Sequence, residues 1–383
     1  MSLYFDYHAH TPLDPDVRST LYKAFTAWDV NPHAQSLAGE NARSALDRSR
    51  EAAAALVGFS SKDIIFTSGA TEANNLAIRG VADHLSKVGR KRIIVSAIEH
   101  PSVLETAGAL GMGFEVLIAP VQSNGRIDLD ALSNLISPST GLVSIAAANH
   151  EIGVVQPIAD IGKITRSQGA LFHSDLAQAA GKIELPLQAV DLVSLSAHKL
   201  HGPLGVGALG ARRAVRRLMA PALTGGGQEA GLRSGTVPTP LCVAFGLACD
   251  IAGNRLEADS RYIANLRDQL LSGLSQIPGC GVNGPLTDRL PGNLSIFFEG
   301  VDAEALVMKI RDRLVISTGS ACSAHTLEPS PVLKALGLDQ TTAESTIRIG
   351  IGRFTTEREV FEAIDILRDA VMSLRQIGIR IRA

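Results

Sequence analysis

Short apolar runs that alternate with helical stretches restrict the fold of this chain more than any other feature of its sequence. Runs rich in valine and isoleucine occur at residues 64–66, 92–95, 142–148, 171–173 and 192–195, and helical stretches separate them. Alternating strands and helices are typical of a mostly parallel sheet covered by helices. In such a sheet the ligand site lies at the carboxyl ends of the strands. We therefore predict an α/β fold with its site at that edge.

The length of the chain and a change of rhythm after its middle indicate two domains. With 383 residues, 45% of them apolar, the chain can bury one large core and a smaller one. A long helical stretch at 241–275 interrupts the alternation. Three further predicted strands follow it, at 293–298, 313–317 and 346–351. We predict a large domain at 13–256 and a smaller α+β domain formed by 1–12 and 257–383.

Charge and cysteine usage exclude several kinds of partner. The net charge of −2 gives no basic field for nucleic acid or a membrane surface, so a small ligand is expected. No apolar run is long enough to span a bilayer, and the N-terminus lacks the pattern of a signal peptide. Cys242, Cys249, Cys280 and Cys322 form no Cys-x-x-Cys pair and no metal-ligand spacing. We expect a cytoplasmic protein with reduced thiols and without a metal site.

Three residues carry the most specific chemical signal. Lys199 and Asp175 each end an apolar run, and Cys322 lies in a loop of small residues at 319–323. A lysine at a strand end is usually just solvated, but a buried carboxylate needs a cationic partner or hydrogen-bond donors. A pyridinium N–H meets that need. An amine that can form a Schiff base, an acid for a pyridinium nitrogen and a thiol nucleophile suit pyridoxal phosphate chemistry.

A phosphate site is predicted between a strand and a helix at residues 67–72. Small residues there let backbone N–H groups and the Thr71 hydroxyl converge on an anion at a helix N-terminus. The same pattern also fits an ordinary helix cap without a ligand. Ser196 and His198 are two residues apart and can reach the same phosphate from an extended segment. Their alternative interpretation is a polar strand end.

Four further polar residues have a functional and a structural interpretation each. Gln178 can donate to the phenolic oxygen of the cofactor, or it is an exposed amide. His100 can stack on the cofactor ring and shuttle protons, or it is structural. Arg348 and Arg353 can grip a substrate carboxylate, or they are surface charges.

The ordered set of motifs resembles the cysteine desulfurases of the NifS/IscS type, within the class V aminotransferase group. The resemblance runs nearly end to end. It rests on Gly69-Ala70-Thr71-Glu72, Glu99-His100, Glu151-Ile152-Gly153, Asp175-x-x-Gln178, Ser196-x-His198-Lys199, Gly225-Gly226-Gly227-Gln228-Glu229, Arg233-Ser234-Gly235-Thr236 and Gly319-Ser320-Ala321-Cys322. It implies the pyridoxal-phosphate-dependent transferase fold type I, with a mostly parallel seven-stranded sheet and a smaller α+β domain.

The resemblance also implies roles for individual residues. The catalytic residues would be Lys199, which binds the cofactor as a Schiff base, Cys322, which forms the persulfide, and His100. The residues that bind pyridoxal 5'-phosphate would be Ala70, Thr71, His150, Asp175, Gln178, Ser196, His198 and Thr236, the last supplied across a homodimer interface. The substrate would be held by Arg348 and Asn31.

The activity implied is conversion of L-cysteine to L-alanine, with sulfur passed from Cys322 to an acceptor protein such as an iron–sulfur scaffold or a relay protein. Three departures from the family pattern concern the site. Asn149-His150-Glu151 stands where Asn-Asn-Glu is common, His10 stands where Thr is usual, and Ser36 stands where His is common. We expect His150 to donate to the phenolic oxygen. The alternatives to a cysteine desulfurase are a selenocysteine lyase, a related aminotransferase, or a non-catalytic sulfur-trafficking scaffold.

Overall fold

The structure is a computed structural model that describes residues 2–111, 113–319 and 330–382, with side chains described up to residue 377. Its strands are β1 (Leu3–Tyr4), β2 (Ile64–Thr67), β3 (Arg92–Ser96), β4 (Glu115–Ala119), β5 (Thr140–Ser144), β6 (Leu171–Asp175), β7 (Leu192–Ser196), β8 (Gly207–Ala211), β9 (Cys280–Val282), β10 (Asn293–Phe298), β11 (Leu314–Val315), β12 (Ser317–Thr318) and β13 (Thr346–Gly350). Its helices are α1 (Pro15–Ala27), α2 (Leu37–Val57), α3 (Ala70–Lys87), α4 (Pro101–Gly108), α5 (Leu129–Leu135), α6 (Ile158–Ser167), α7 (Arg213–Arg216), α8 (Thr239–Leu274), α9 (Ala303–Ile310), α10 (Pro331–Ala335), α11 (Gln340–Glu344) and α12 (Glu357–Arg382).

The centre of the large unit is a seven-stranded sheet in the order β2-β8-β7-β6-β5-β3-β4. The pairs from β7 to β4 are parallel, and β8 runs antiparallel to both of its neighbours. The middle strands β5 and β7 are buried along their whole length, because helices cover both faces. The prediction of a mostly parallel, helix-covered sheet is confirmed.

Strand β8 was not predicted, because glycine and alanine make up four of its five residues. The packing explains that composition. A Cβ on Gly207 would lie 2.7 Å from the Cα of Gly69, and one on Gly210 would lie 2.6 Å from a methyl group of Val193. Real Cβ atoms do not approach other atoms so closely, so this strand needs small residues to fit between β2 and β7.

A second unit follows around a four-stranded antiparallel sheet in the order β12-β13-β10-β9. The predicted strand at 313–317 is in fact two short strands, because β11 pairs with β1 while β12 pairs with β13. Apolar residues of β10, β13, α9, α12 and the end of α8 form its core. The domain boundary at residue 256 falls inside α8 and stays a prediction.

Helix α8 contributes to both cores. Phe245 and Cys249 in its first half pack into the core of the large unit, whereas Leu266 and Leu270 pack into that of the second. Phe5, from the N-terminal segment, also packs into the second core. Among the residues described, no helix combines the length and apolar character that crossing a bilayer requires.

Candidate active site

A cavity of about 420 Å³ lies at the carboxyl ends of β6 and β7, beside the N-termini of α3 and α4. It brings together ten of the residues singled out in the sequence: Ala70, Thr71, His100, His150, Asp175, Gln178, Ser196, His198, Lys199 and Arg348. Asn31 and Thr236 are exposed and do not line it, so their predicted roles stay predictions. Cys322 lies outside the described residues.

Asp175 ends β6 as a buried carboxylate without a cationic partner among the described residues. One oxygen accepts a hydrogen bond from the amide of Asn74 at 2.7 Å, and the other accepts from the backbone N–H of Ala177 at 2.8 Å. Both donors are neutral. A buried carboxylate is much better stabilised by a cation, so the cavity offers a place for a protonated ring nitrogen.

Lys199 ends a 3₁₀ turn, Ala197–Lys199, directly after β7. Its amine donates hydrogen bonds to the backbone carbonyl of His8 and, at 2.7 Å, to that of Ala9. Both acceptors belong to the segment between β1 and α1. The amine is therefore held at the cavity wall by backbone groups.

The N-terminus of α3 opens into the same cavity. Its N-cap is Gly69, with φ 153° and ψ −178°, and no side chain accepts from the first turn of the helix at that position. Backbone N–H groups of an uncapped first turn bind anions well. Glu72, in the first turn, accepts from Ser68 N–H at 2.7 Å and pairs with Arg233 at 2.8 Å, so its charge is already balanced.

Ser196 and His198 lie on the wall next to this helix terminus. The Ser196 hydroxyl is 2.9 Å from Nδ1 of His198, and the ring of His10 stacks on the His198 ring at 5.7 Å. Burial first, and then the neighbouring Lys199 amine, lower the pKa of His198 to about 4. His198 is therefore a neutral hydrogen-bonding group at neutral pH.

His100 is the N-cap of α4, and that role fixes its ring. Nδ1 accepts from the backbone N–H of Ser102 at 3.1 Å and lies 2.8 Å from the Ser102 hydroxyl. Burial lowers its pKa, and Asp175 opposes that shift. In the neutral ring the proton is therefore on Nε2. The His150 ring meets the His100 ring edge-on at 5.5 Å, and burial lowers the pKa of His150 well below its usual value.

Arg348 on β13 places a guanidinium group on the cavity wall. It pairs with Asp6 at 2.9 Å, and one guanidinium nitrogen lies 3.4 Å from the His150 carbonyl, while Nε has no hydrogen-bond partner among the described residues. Arg353, the other arginine considered, pairs with Asp14 and Asp259 and does not line this cavity. The carboxylate-binding interpretation therefore fits Arg348 and not Arg353.

Three residues near the site escaped the sequence analysis as functional candidates. Asn74 contacts Asp175 from α3, and His8 contacts Gln178 and Lys199 from the N-terminal segment. The third, Glu99, is buried, and burial raises its pKa to about 8. Asn74 lies in a predicted helical stretch beside a second polar residue, Asn75, so nothing in the sequence marks it as a contact of Asp175. His8 follows a strand of another unit and carries no local signal.

The chemistry of the cavity fits pyridoxal 5'-phosphate. It holds a buried acid with only neutral donors, an uncapped helix N-terminus and a lysine amine. These three features suit, respectively, a protonated pyridine nitrogen, a phosphate and an aldehyde.

Comparisons with known proteins agree with this arrangement. The family model for class-V aminotransferases matches residues 3–362. A probable mitochondrial cysteine desulfurase from Dictyostelium discoideum is 47% identical over 98% of this chain and 84% of its own. The cysteine desulfurase IscS of Rickettsia bellii is 44% identical over 99% of this chain and 93% of its own.

Solved structures give the same result. A structure described as a NifS-like protein superposes with a TM-score of 0.91 at 36% identity, covering 97% of this chain and all of that one. One described as SspA in complex with cysteine superposes with a TM-score of 0.81 at 34% identity, covering 93% of this chain and all of that one.

Proposed function

The chain belongs to the class-V aminotransferase family as a cysteine desulfurase of the NifS/IscS type, and we propose that it uses pyridoxal 5'-phosphate to convert L-cysteine to L-alanine. In this proposal the sulfur is held as a persulfide on Cys322 and is then passed to an acceptor protein. The observation that carries the proposal is that Asp175, Lys199 and the open α3 terminus line one cavity.

Residues of three groups would hold the cofactor. Asp175 suits the ring nitrogen, and Lys199 suits the aldehyde carbon. The phosphate would be bound by the residues at the α3 end of the cavity, which are Ala70, Thr71, Ser196 and His198. His150 and Gln178 are candidates for the phenolic oxygen. Bound there, the cofactor would supply a ring that stabilises negative charge developing on the substrate.

The protein's own side chains prepare the rest of the reaction. Nζ of Lys199, when unprotonated, can accept a proton from the substrate, and its carbonyl contacts keep it at the cavity wall. Neutral His100 presents an N–H at Nε2 because Ser102 occupies Nδ1. That group can donate to the substrate sulfur. Arg348, oriented by Asp6, can bind the substrate carboxylate.

Three observations support the proposed partners. Thr236 is exposed and lies outside the cavity of its own chain, which supports a role across a homodimer interface. Tyr22, Leu37 and Leu204 are large apolar side chains that are at least 64% exposed, which supports contact with another chain. The solved relative described as bound to cysteine supports the substrate. The cytoplasmic location stays a prediction.

Replacing Cys322 with alanine tests the proposal. We expect Cys322→Ala to retain cofactor absorbance but to lose alanine formation from L-cysteine by at least about 100-fold, because the nucleophile is missing. Cys280→Ala is the matched control. Cys280 is half-buried and burial raises the pKa of its thiol to about 11, so it is a poor nucleophile and its loss should leave the rate within about twofold.

Two measurements complete the test. Mass spectrometry after addition of cysteine should find one added sulfur on the parent and on Cys280→Ala, and none on Cys322→Ala. Lys199→Ala should lack the absorbance of the covalently held cofactor. If Cys322→Ala forms alanine at the parent rate, the proposed use of this thiol is wrong.

A further inference from the structure

His8 lines a smaller cavity of about 50 Å³ as well as the active-site cavity. Both cavities are lined by His8 and Lys199. The His8 side chain is buried, with 3% of the residue exposed. It belongs to the segment that links β1 to α1, so it reaches the site from the second unit.

Gln178 is held by His8 through two hydrogen bonds. Nδ1 of His8 lies 3.1 Å from Oε1 of Gln178, and Nε2 of Gln178 donates to the His8 carbonyl at 3.0 Å. The Lys182 amine also donates to Oε1 of Gln178, at 3.5 Å. The His8 ring and the Lys182 amine both donate to Oε1 of Gln178, so this amide oxygen is fixed on the side of His8 and Lys182.

This arrangement determines which end of the amide is left for a ligand. Nε2 of Gln178 has two N–H groups, and one of them is used by the His8 carbonyl. The second remains available to the cavity that Gln178 lines. If the amide turned over, the oxygen would lose its donor at His8 and would be the atom presented to a ligand.

The surroundings keep the His8 ring neutral. The charged groups that face it are Lys182, Arg348 and Lys199, and burial together with these cations lowers its pKa well below the usual value. A neutral ring has one N–H, which can donate either from Nδ1 to the Gln178 oxygen at 3.1 Å or from Nε2 to the Gly292 carbonyl at 3.3 Å. The shorter contact favours the tautomer with the proton on Nδ1.

We propose that His8 is a positioning residue that fixes the Gln178 amide with its N–H toward the phenolic oxygen of the cofactor. The proposal rests on the proposed function, because that function places the cofactor in this cavity. A donor at the phenolic oxygen stabilises it most after the Lys199–cofactor linkage has lost its proton, since the oxygen then carries more negative charge. His8 therefore lowers the pH at which that proton is lost.

A double-mutant cycle on the loaded enzyme tests this dependence, with the pH midpoint of cofactor absorbance as the readout. We expect His8→Ala to raise the midpoint by about half a pH unit, and Gln178→Ala to raise it similarly. In the Gln178→Ala background, His8→Ala should add nothing, because the amide it orients is gone. His8→Asn should restore the parent midpoint, since its side-chain amide can supply an N–H in place of Nδ1.

His201→Ala is the control for general effects of losing a buried histidine. His201 is buried and bonds the carbonyl of Pro12 at 2.8 Å, but it lines only the smaller cavity and does not contact Gln178. Its loss should leave the midpoint unchanged. An unshifted midpoint in His8→Ala, or an equal shift with and without Gln178, overturns the proposal.

The test of His8 can fail or succeed independently of the test of cysteine desulfurase activity. A parent that shows the absorbance but makes no alanine refutes the function and still allows the cycle to be measured. The ¹⁵N shifts of the His8 ring in the apoprotein test its contact with Gln178 without relying on the activity or on the cofactor absorbance. A neutral ring protonated on Nδ1 supports the positioning role, and one protonated on Nε2 overturns it.

Discussion

Two buried carboxyl groups at the site differ in the number of hydrogen-bond donors that they meet. Asp175 has two hydrogen-bond donors, whereas Glu99 accepts one hydrogen bond, from Ala146 N–H at 2.8 Å, and its other oxygen has no partner among the described residues. Burial first, and then the Asp175 charge, raise the pKa of Glu99 to about 8. At neutral pH Glu99 is therefore mostly protonated, which leaves Asp175 as the carboxyl group proposed to bind the ring nitrogen.

The raised pKa of Glu99 predicts a pH-dependent cost in stability. Its unfolded-state pKa is about 4.3, so between about pH 4.3 and 8 the folded state binds the extra proton and stability falls as pH rises. Glu99→Gln keeps an acceptor for Ala146 and cannot ionise. We expect urea unfolding of the apoprotein to show Glu99→Gln gaining ~3 kcal/mol over the parent between pH 5 and pH 8.

Glu105→Gln provides the control for this measurement. Glu105 is an exposed carboxylate on the neighbouring helix α4, so its replacement should change stability by no more than about 0.5 kcal/mol at either pH. A Glu99→Gln protein whose advantage over the parent is the same at pH 5 and pH 8 would show that Glu99 does not take up this proton.

At the scale of residues, the sequence predicted the groups that end strands and missed those that support them. Asp175 and Lys199 end apolar runs, and parallel strands end at one edge of a sheet, so their meeting could be predicted. Asn74 lies inside a helix, and His8 comes from the N-terminal segment that leads out of the second unit. Their contacts depend on how helix and unit pack against the sheet, which no local pattern encodes.

At the scale of elements, the position of the α3 terminus depends on β8. Gly69 has φ 153°, which favours glycine, and its backbone lies directly against Gly207. An added Cβ at Gly207 would come within 2.7 Å of the Gly69 Cα. The same Cβ would also clash with the Leu195 carbonyl oxygen of β7. Backbone atoms cannot yield as a flexible side chain can, so the helix terminus, β7 or both would have to move.

We therefore expect Gly207→Ala to weaken phosphate binding at α3. The dissociation constant for pyridoxal 5'-phosphate, measured by fluorescence titration of the apoprotein, should rise by at least about tenfold, because backbone donors act only over short distances. Gly108→Ala is the matched control, since a Cβ there meets nothing within 4 Å. If Gly207→Ala binds the cofactor as the parent does, β8 does not set the position of the helix terminus.

The pattern of apolar runs predicted the parallel strands but not the pairing of the shortest ones. Strand β8 lacks the β-branched residues that mark strands, because its neighbours leave no room for a side chain at Gly207 or Gly210. The run at 313–317 reads as one strand, yet its two halves pair with β1 and β13. Pairing partners far away in the sequence decide both cases.

At the scale of the whole molecule, Arg353 links three parts of the chain. It follows β13 and pairs with Asp259 of α8 at 2.5 Å and with Asp14, the N-cap of α1, at 3.1 Å. All three side chains are about nine-tenths buried. The second unit, the helix shared by both cores and the first helix of the chain therefore meet at one guanidinium group.

Removing this cation should destabilise the folded molecule as a whole. Arg353→Met leaves two buried carboxylates without their shared partner, and breaking a buried ion pair in this way costs about 3 kcal/mol. Arg261→Met is the control, because Arg261 pairs with Glu257 on the surface of α8, where an ion pair contributes about 0.5 kcal/mol or less. Urea unfolding followed by circular dichroism measures both. A loss for Arg353→Met as small as that for Arg261→Met would show that the buried cluster does not hold the two units together.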